Sequence, residues 1–248
     1  MRQFSRWSSV PLQRRWIVDA LAVGRTMHIA GGGGPMNVAP AAEARRRKQP
    51  AISWDAIWIK AVALAAKERP ELQTAYMPYP WAHFYVHPYP VAAVAVERMW
   101  NGEPAVFMEP MSDPAALSLF EIDRRCKALA TLPIASVGSF RRLIRITRLL
   151  WILRRAIWHI AAYWSGSLRS SYLGTYTTMK SPRRIQVHQN TPNIPFAFHW
   201  STPDPKGDLT VEILFDHRVV DAAGAVRVML AVERAMNGAV AQELAGAP

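Results

Sequence analysis

The sequence contains very little cysteine: Cys126 is the only one in 248 residues. A single cysteine excludes an intrachain disulfide and a zinc site built on paired cysteines, and it fits a reducing compartment. The sequence also lacks a GxSxG nucleophile elbow, an HExxH zinc helix and a dinucleotide-binding fingerprint. We therefore expect no metal site and no dinucleotide cofactor.

Long apolar runs are missing as well. No stretch approaches the roughly 20 uninterrupted apolar residues that a spanning helix needs. We expect that the basic N-terminus is not a signal peptide, because the apolar run from Trp16 to Val23 is short and contains Asp19. We expect a cytoplasmic protein, and contact with a membrane surface stays open.

Acidic residues are scarce relative to basic ones. The 18 Asp and Glu face 30 Lys and Arg, so the formal net charge is +12. This charge favours an anionic partner, such as a phosphorylated cofactor, a membrane surface, an acidic protein or nucleic acid. No recognised nucleic-acid-binding module accompanies it, so nucleic acid is the least favoured of these. Half of the residues are hydrophobic, which suits a single domain over residues 1–248 with a substantial core.

Apolar periodicity and helix caps predict the regular elements. Ser53 is a predicted N-cap, and Ser118 and Glu121 form a predicted capping box. The Asn237-Gly238 pair is predicted to end the last helix. The predicted helices cover residues 11–25, 53–69, 118–130 and 221–237. Short strands are predicted within residues 82–98 and 104–109 and in YLGTYTTM, IPFAFHW and LTVEILF.

The glycine-rich segment 31–50 reads GGGGPMNVAP and then continues into the charged EARRRKQP. No predicted strand precedes it and no Gly-Lys-Ser/Thr follows, so it does not match a phosphate-binding loop. We predict a flexible loop here. The helices and strands show no repeating βαβ order, which favours an α+β fold with a mixed or antiparallel sheet.

Segment 140–164, FRRLIRITRLLWILRRAIWHIAAYW, combines an apolar stripe with arginines such as Arg145, Arg148 and Arg155 on another face. The pattern predicts a basic amphipathic helix or a helix pair. Three interpretations stay open: packing on the sheet with a solvated arginine face, contact with an anionic membrane surface, or docking of a phosphorylated ligand or an acidic partner in a larger complex.

The segment VEILFDHRVVDAAGAVRVML places Asp216, His217, Arg218 and Asp221 where a predicted strand meets the last helix. Such junctions hold functional side chains on a rigid frame. His217 could act as a general base, and Asp221 could orient Arg218 or cap the helix. Spacing alone favours the plainer interpretation, in which Asp221 only caps the helix and His217 is a surface residue.

The motif DHRVVDAAGA resembles the His-Arg-x-x-Asp-Gly signature of the chloramphenicol acetyltransferase and 2-oxoacid dehydrogenase acyltransferase (E2) catalytic-domain superfamily. Ala222 replaces the usual glycine. The segment GTYTT at 174–178 resembles the family's Gly-Thr-Phe strand, and the resemblance covers most of residues 10–240. The lipoyl and subunit-binding domains of long E2 chains have no counterpart, so the chain looks like a small free-standing bacterial member.

The resemblance implies an α+β two-layer sandwich with a mixed sheet that assembles as a homotrimer or a multiple of trimers. It implies a channel between subunits, where His217 takes a proton from an acceptor that attacks a thioester. The thioester would belong to acyl-CoA or an acyl-carrier protein, with coenzyme A as a co-substrate and no tightly bound cofactor. Asp216 and Arg218 would shape the site, and Asp221 would join His217 as a catalytic residue that also holds the shape of the loop. A serine or threonine of the neighbouring subunit would stabilise the oxyanion.

The sequence departs from this pattern at the oxyanion position, where the family's serine or threonine aligns with Met179. A thioether cannot donate a hydrogen bond. Thr178 could replace it only if a bulge shifted the strand register, because neighbouring strand residues point to opposite faces. Two functions follow as hypotheses: an acyltransferase that uses His217 with Thr178 or a backbone amide, and a catalytically weakened or silent trimer with a structural role. A third, a binding protein whose channel holds an apolar ligand, has no residue-level support.

Overall fold

The computed structural model describes residues 9–180 and 194–246. The helices are α1 Leu12–Gly24, α2 Ala39–Arg47, α3 Trp54–Ala65, α4 Leu119–Thr131, α5 Gly138–Arg148, α6 Trp151–Tyr163, α7 Gly166–Tyr172, α8 Ala222–Ala235 and α9 Ala241–Ala245. The strands are β1 Ile29–Asn37, β2 Thr74–Met77, β3 His83–Val86, β4 Val91–Trp100, β5 Glu103–Ser112, β6 Tyr176–Lys180, β7 Phe196–Trp200 and β8 Asp208–Asp216.

The main sheet has the strand order β1-β8-β7-β6-β4-β5, and β2 and β3 form a separate hairpin. Strand β6 runs parallel to both β4 and β7, whereas the pairs β4–β5, β7–β8 and β1–β8 are antiparallel. Because the sheet contains both parallel and antiparallel pairs, it is mixed. The α+β prediction is confirmed.

The two faces of the sheet carry different cores. Phe196, Phe198 and Trp200 alternate along β7 and pack with residues of α3 and α8, and Trp200 stacks on Trp58 with 5.7 Å between ring centroids. At the β4–β5 end, the opposite face packs against α1, α5 and α6, where Phe107 lies 4.7 Å from the ring of Phe140. Each buried large side chain contributes about 1.5–3 kcal/mol.

The prediction of a flexible loop over residues 31–50 is wrong. Residues Ile29–Asn37 form edge strand β1, paired with β8 from Ile29 opposite Asp216 to Asn37 opposite Asp208. Helix α2 then fills 39–47. The glycines allow close approach: a Cβ added to Gly33 would lie 2.5 Å from the carbonyl oxygen of Val211. A run that looked like a linker is therefore part of a strand whose four central residues are glycines, which lets β8 approach.

The end predicted for the last helix at Asn237-Gly238 is also wrong. The chain continues through a π-helical turn, Met236–Val240, into α9, and Gly246 with φ +75° caps the C-terminus of that helix. Val240 and Leu244 are buried in the core. Burial of these side chains outweighs the local preference of an Asn-Gly pair for a turn.

Two predicted helix starts are confirmed by their caps. The Oγ atoms of Ser53 and Ser118 accept hydrogen bonds from the backbone N–H groups of Ala56 (3.3 Å) and Glu121 (3.1 Å). The reciprocal half of the predicted capping box does not form. The Glu121 carboxylate instead binds Arg124 and Arg125, and hydrogen bonds from both arginines lower its pKa to about 2.

Segment 140–164 is a helix pair. Helices α5 and α6 are separated by Leu149 and Leu150, whose extended backbones have ψ values of 165° and 145°. Phe140 and Leu143 of α5 are buried. None of the helices within residues 9–180 and 194–246 is both long and apolar enough to cross a membrane.

The close approach of β1 to β8 yields a prediction. Gly33→Ala should lower the free energy of unfolding by about 1–3 kcal/mol, because its methyl group would meet the Val211 carbonyl. Gly32→Ala is the control, because a Cβ there would meet nothing within 4 Å. It should be neutral or slightly stabilising. Urea unfolding of both variants checks this, and equal midpoints would contradict the strand pairing.

Candidate active site

His217 lies in the short turn between β8 and α8 and is exposed. Its backbone N–H donates a 2.7 Å hydrogen bond to the carbonyl oxygen of His28, just before β1. The N–H groups of Val219 and Val220 donate to the carbonyl oxygen of Asp216 at 2.9 and 3.3 Å. The main chain is thus held on both sides while the imidazole faces outward. The sequence prediction placed His217 at such a junction.

Asp216 and Arg218 form the frame of this turn. The buried Asp216 carboxylate accepts hydrogen bonds from Arg218 Nε at 2.9 Å and from its terminal nitrogen at 2.7 Å. The guanidinium also lies 4.5 Å from the ring centre of Tyr76 and donates to the Thr26 carbonyl at 3.3 Å. Burial by itself would lower the pKa of Arg218, but the hydrogen bonds and charge of Asp216 outweigh burial and raise it. This fixed, bidentate pair locks the residues on both sides of His217.

Arg169 of α7 is a second, fully buried cation near Asp216. Burial lowers the pKa of Arg169 to about 10, and the negative charge of Asp216 opposes that shift. Its guanidinium donates to the Ala162 carbonyl at 2.6 Å. Arg169 precedes Asp216 by 47 positions, so no local pattern in the sequence could have connected the two.

Asp221 caps α8. Its side chain accepts a 2.6 Å hydrogen bond from the N–H of Gly224 and lies 3.9 Å from Arg227. The sequence offered two structural roles for Asp221, to cap the helix or to orient Arg218. Asp221 caps the helix, and it is Asp216 that binds Arg218. The Asp221 side chain is exposed beside the turn, and its catalytic role stays a prediction.

Strand β6 keeps a continuous register with β7, from Tyr176 opposite Phe196 to Lys180 opposite Trp200. Tyr176 donates through its hydroxyl to the Ile59 carbonyl of α3 at 2.7 Å. Thr178 shares that face by alternation, and Thr177 and Met179 lie on the other. Across this ladder no bulge shifts the register, so the condition under which Thr178 could replace Met179 is absent. The hydroxyl of Thr177 donates to the Ala93 carbonyl at 2.8 Å.

A pair that the sequence analysis missed adjoins Met179. Met179 is paired with His199, and His199 with Glu212, so the three side chains share one face of β6, β7 and β8. Nδ1 of the buried His199 lies 3.5 Å from a carboxylate oxygen of Glu212. Strand order and register create this pair, whose members are 13 positions apart in the sequence.

A groove of about 720 Å³ opens beside the turn of His217. The residues that border it combine aromatic rings with basic groups. They include His28, Tyr76, Tyr79, His159, Tyr163 and Arg218. Rings and a cation in one concave surface suit a ligand with an apolar part and an anionic group.

No protein-family model matches the chain, and no curated protein sequence matches it. Solved structures do. A dihydrolipoamide acetyltransferase from Azotobacter vinelandii has a TM-score of 0.65 at 12% identity, and the match covers 96% of this chain and 94% of that one. The truncated catalytic core of a 2-oxoacid dehydrogenase multienzyme complex from Thermoplasma acidophilum has a TM-score of 0.63 at 15% identity, with coverages of 94% and 99%. A chloramphenicol acetyltransferase has a TM-score of 0.52 at 12% identity, with coverages of 95% and 100%.

These similarities establish the class of fold. The chain has the α+β fold with a mixed sheet that is shared by chloramphenicol acetyltransferase and the catalytic cores of 2-oxoacid dehydrogenase complexes. The resemblance inferred from DHRVVDAAGA is confirmed at the level of fold. At identities of 12–15%, the comparison establishes the fold alone.

The buried His87, which lies near Arg169 and Ser170 of α7, yields a pH prediction. Its Nδ1 lies 2.6 Å from Ser170 Oγ, and burial, followed by the charge of Arg169, lowers the pKa of His87 from 6.5 to about 4. The unfolded chain therefore binds a proton near pH 6.5 that the folded protein does not take up until about pH 4. The corresponding stability is present above pH 6.5 and decreases as the pH falls toward 4.

Between pH 7.5 and pH 5, this group should lower the free energy of unfolding by about 2 kcal/mol. Urea unfolding at both pH values checks it. His87→Asn should remove that part of the pH dependence, whereas the control His83→Asn at the start of β3 should keep it. An unchanged pH dependence in His87→Asn would show that the imidazole is not held neutral.

Proposed function

We propose that the protein is an acyltransferase that moves an acyl group from a CoA-type or carrier thioester to a thiol, hydroxyl or amine acceptor. His217 is the general base. The observation that carries the proposal is the exposed imidazole on a turn held by His28 and by the Asp216–Arg218 pair, within a fold shared with acetyltransferases. A base must be both reachable and held in position to lower a barrier.

The reaction requires one proton transfer in each direction. His217 accepts the proton of the acceptor as its sulfur, oxygen or nitrogen forms a bond to the thioester carbonyl carbon. The carbonyl oxygen becomes the oxyanion of a tetrahedral intermediate. The carbon–sulfur bond then breaks, the carbonyl re-forms, and the departing thiolate takes the proton from the imidazolium. The groove beside Arg218 is the proposed binding site for one of the two substrates.

The Azotobacter vinelandii structure supports the assignment of the base. That work concerned a serine, a histidine and an asparagine in the catalytic mechanism, and the histidine and asparagine are four positions apart. His217 and Asp221 have the same spacing here. We extend the proposal to a homotrimer, in which His217 faces the β6 strand of a neighbouring copy.

The proposed site lacks an evident side-chain hydrogen-bond donor for the oxyanion. Met179 has no proton to donate, Thr178 lies on the face of α3, and Thr177 already donates to Ala93. A main-chain N–H is then the remaining donor in this part of β6. Loss of one oxyanion donor costs about 10²- to 10³-fold in rate. The proposed enzyme is therefore slow.

The first test measures transfer of an acetyl group from acetyl-CoA to dihydrolipoamide, with chromatographic quantification of both products. His217→Ala should lower kcat/KM by about 10²- to 10⁴-fold, because the proton acceptor is lost. His83→Ala on the β2–β3 hairpin is the control and should retain the wild-type rate. Equal rates for wild type and His217→Ala would remove the enzyme hypothesis.

The second test restores the missing donor. Met179→Ser should raise kcat by about 10²- to 10³-fold, since a hydroxyl at this position can donate to the oxyanion. Thr178→Val should leave the rate unchanged, because its side chain lies on the opposite face. A loss of activity in Thr178→Val without a gain in Met179→Ser would instead make Thr178 the donor.

One observation favours a second function, a catalytically silent trimer with a structural role. Met179 lies in an unbroken strand register, so the register does not compensate for the missing hydroxyl. This alternative predicts that neither wild type nor Met179→Ser exceeds His217→Ala in the same assay.

A further inference from the structure

The turn between α5 and α6 exposes a continuous apolar run, here called the apolar tip: Leu149, Leu150, Trp151, Ile152 and Leu153. The relative exposures of the last four are 73%, 58%, 60% and 50%. A run of exposed apolar residues of this length is costly in water and marks an interaction surface.

The geometry of the apolar tip constrains what can cover it. Trp151, Ile152 and Leu153 are the first three residues of α6, and successive helical side chains point about 100° apart. Each is at least half exposed, so the start of α6 projects from the surface on several sides. A flat protein surface would cover the side chains on only one side of this projection. A lipid bilayer is fluid and can contact them on every side.

The apolar tip is held rigidly. Arg154, directly after it, turns inward, forms a buried ion pair with Asp19 of α1, and donates to the Leu149 carbonyl at 2.8 Å. Trp158, one turn further along α6, is buried against the ring of Trp16 at 6.0 Å. The exposure of the apolar tip is therefore a property of the folded helix pair.

The two helices that meet at the apolar tip carry exposed arginines. Arg141, Arg145 and Arg148 on α5 and Arg155 on α6 are exposed. Residues 124–203 contain 13 of the 30 Lys and Arg and none of the 18 Asp and Glu. The rest of the chain, with 17 basic and 18 acidic residues, is close to neutral. The net charge of +12 is thus concentrated in the part of the sequence that contains the apolar tip.

We propose that the apolar tip inserts into the interface of an anionic lipid surface. Leu150, Trp151, Ile152 and Leu153 would enter the region between headgroups and acyl chains, where tryptophan is favoured. Arg145, Arg148 and Arg155 would bind the anionic headgroups around them. The proposal combines one apolar anchor with one basic patch, the two signals that stable attachment needs. It does not depend on acyl transfer.

The experiment is flotation of the full-length protein with vesicles. Wild type should bind vesicles of phosphatidylcholine with about one third phosphatidylglycerol, bind pure phosphatidylcholine far more weakly, and lose affinity as salt rises above about 0.1 M. Leu150→Ser/Trp151→Ser should weaken binding at least about tenfold. Arg145→Glu/Arg148→Glu should weaken it at least about 30-fold.

Two matched control variants test whether binding depends on the position of the substituted residues or only on the net charge and the number of exposed apolar side chains. Arg46→Glu/Arg47→Glu changes the net charge by the same amount at exposed positions of α2 and should retain most of the binding. Met99→Ser/Phe120→Ser removes two apolar side chains of 63% and 60% exposure elsewhere and should retain it too. Trp151→Phe should bind like wild type but show less fluorescence quenching by brominated lipids.

Three results would overturn the proposal. The first is equal binding to anionic and neutral vesicles, or binding to neither. The second is a loss of binding in Arg46→Glu/Arg47→Glu as large as in Arg145→Glu/Arg148→Glu, which would indicate nonspecific attraction by the net charge. The third is a change of oligomeric state, measured by light scattering without lipid, in Leu150→Ser/Trp151→Ser, which would make the apolar tip a subunit interface.

Discussion

The carboxylate of Asp216 is the group on which the arrangement of the candidate site depends. It is buried at the end of β8, and a buried charge is tolerated only when cations and hydrogen-bond donors surround it. Arg218 binds both of its oxygens, and the fully buried Arg169 adds a second positive charge from α7. Between the two members of this ion pair lies His217, whose own N–H is bound by His28. A local electrostatic requirement thus fixes the residue that the proposed chemistry needs.

The alternation of side chains along β6 determines which of them could donate a hydrogen bond to the oxyanion of the proposed reaction. Because β6 pairs with β7 without a bulge from Tyr176 to Lys180, Thr178 and Met179 belong to opposite faces. The turn that holds His217, the proposed base, is framed by the Asp216–Arg218 pair, while the position that resembles the oxyanion donor carries the thioether of Met179. The same strand order brings His199 and Glu212 next to Met179, which gives this face a polar pair in a different place. The chain thus has the fold that is shared by the acetyltransferase structures, with Met179, His199 and Glu212 together on one face of its sheet.

Much of the fold could be predicted where the determining interactions are local. Ser53, Ser118 and Asp221 each accept a backbone N–H within three residues, so short sequence patterns predicted the helix starts. Predictions failed where distant contacts outweighed local preference. The glycine run became β1 because β8 lies beside it, and Asn237-Gly238 lies within a helical turn because Val240 and Leu244 are buried.

The sequence by itself determined the strand-to-helix junction, the residues that flank His217, the amphipathic character of segment 140–164 and the concentration of positive charge there. These features depend on neighbours within one turn of helix or one strand, or on composition alone. Only the tertiary structure decided that the buried Arg169 lies near Asp216, that Thr178 faces α3, and that the start of α6 projects from the surface. Those facts depend on packing between residues that are tens of positions apart, and no local pattern encodes such distances.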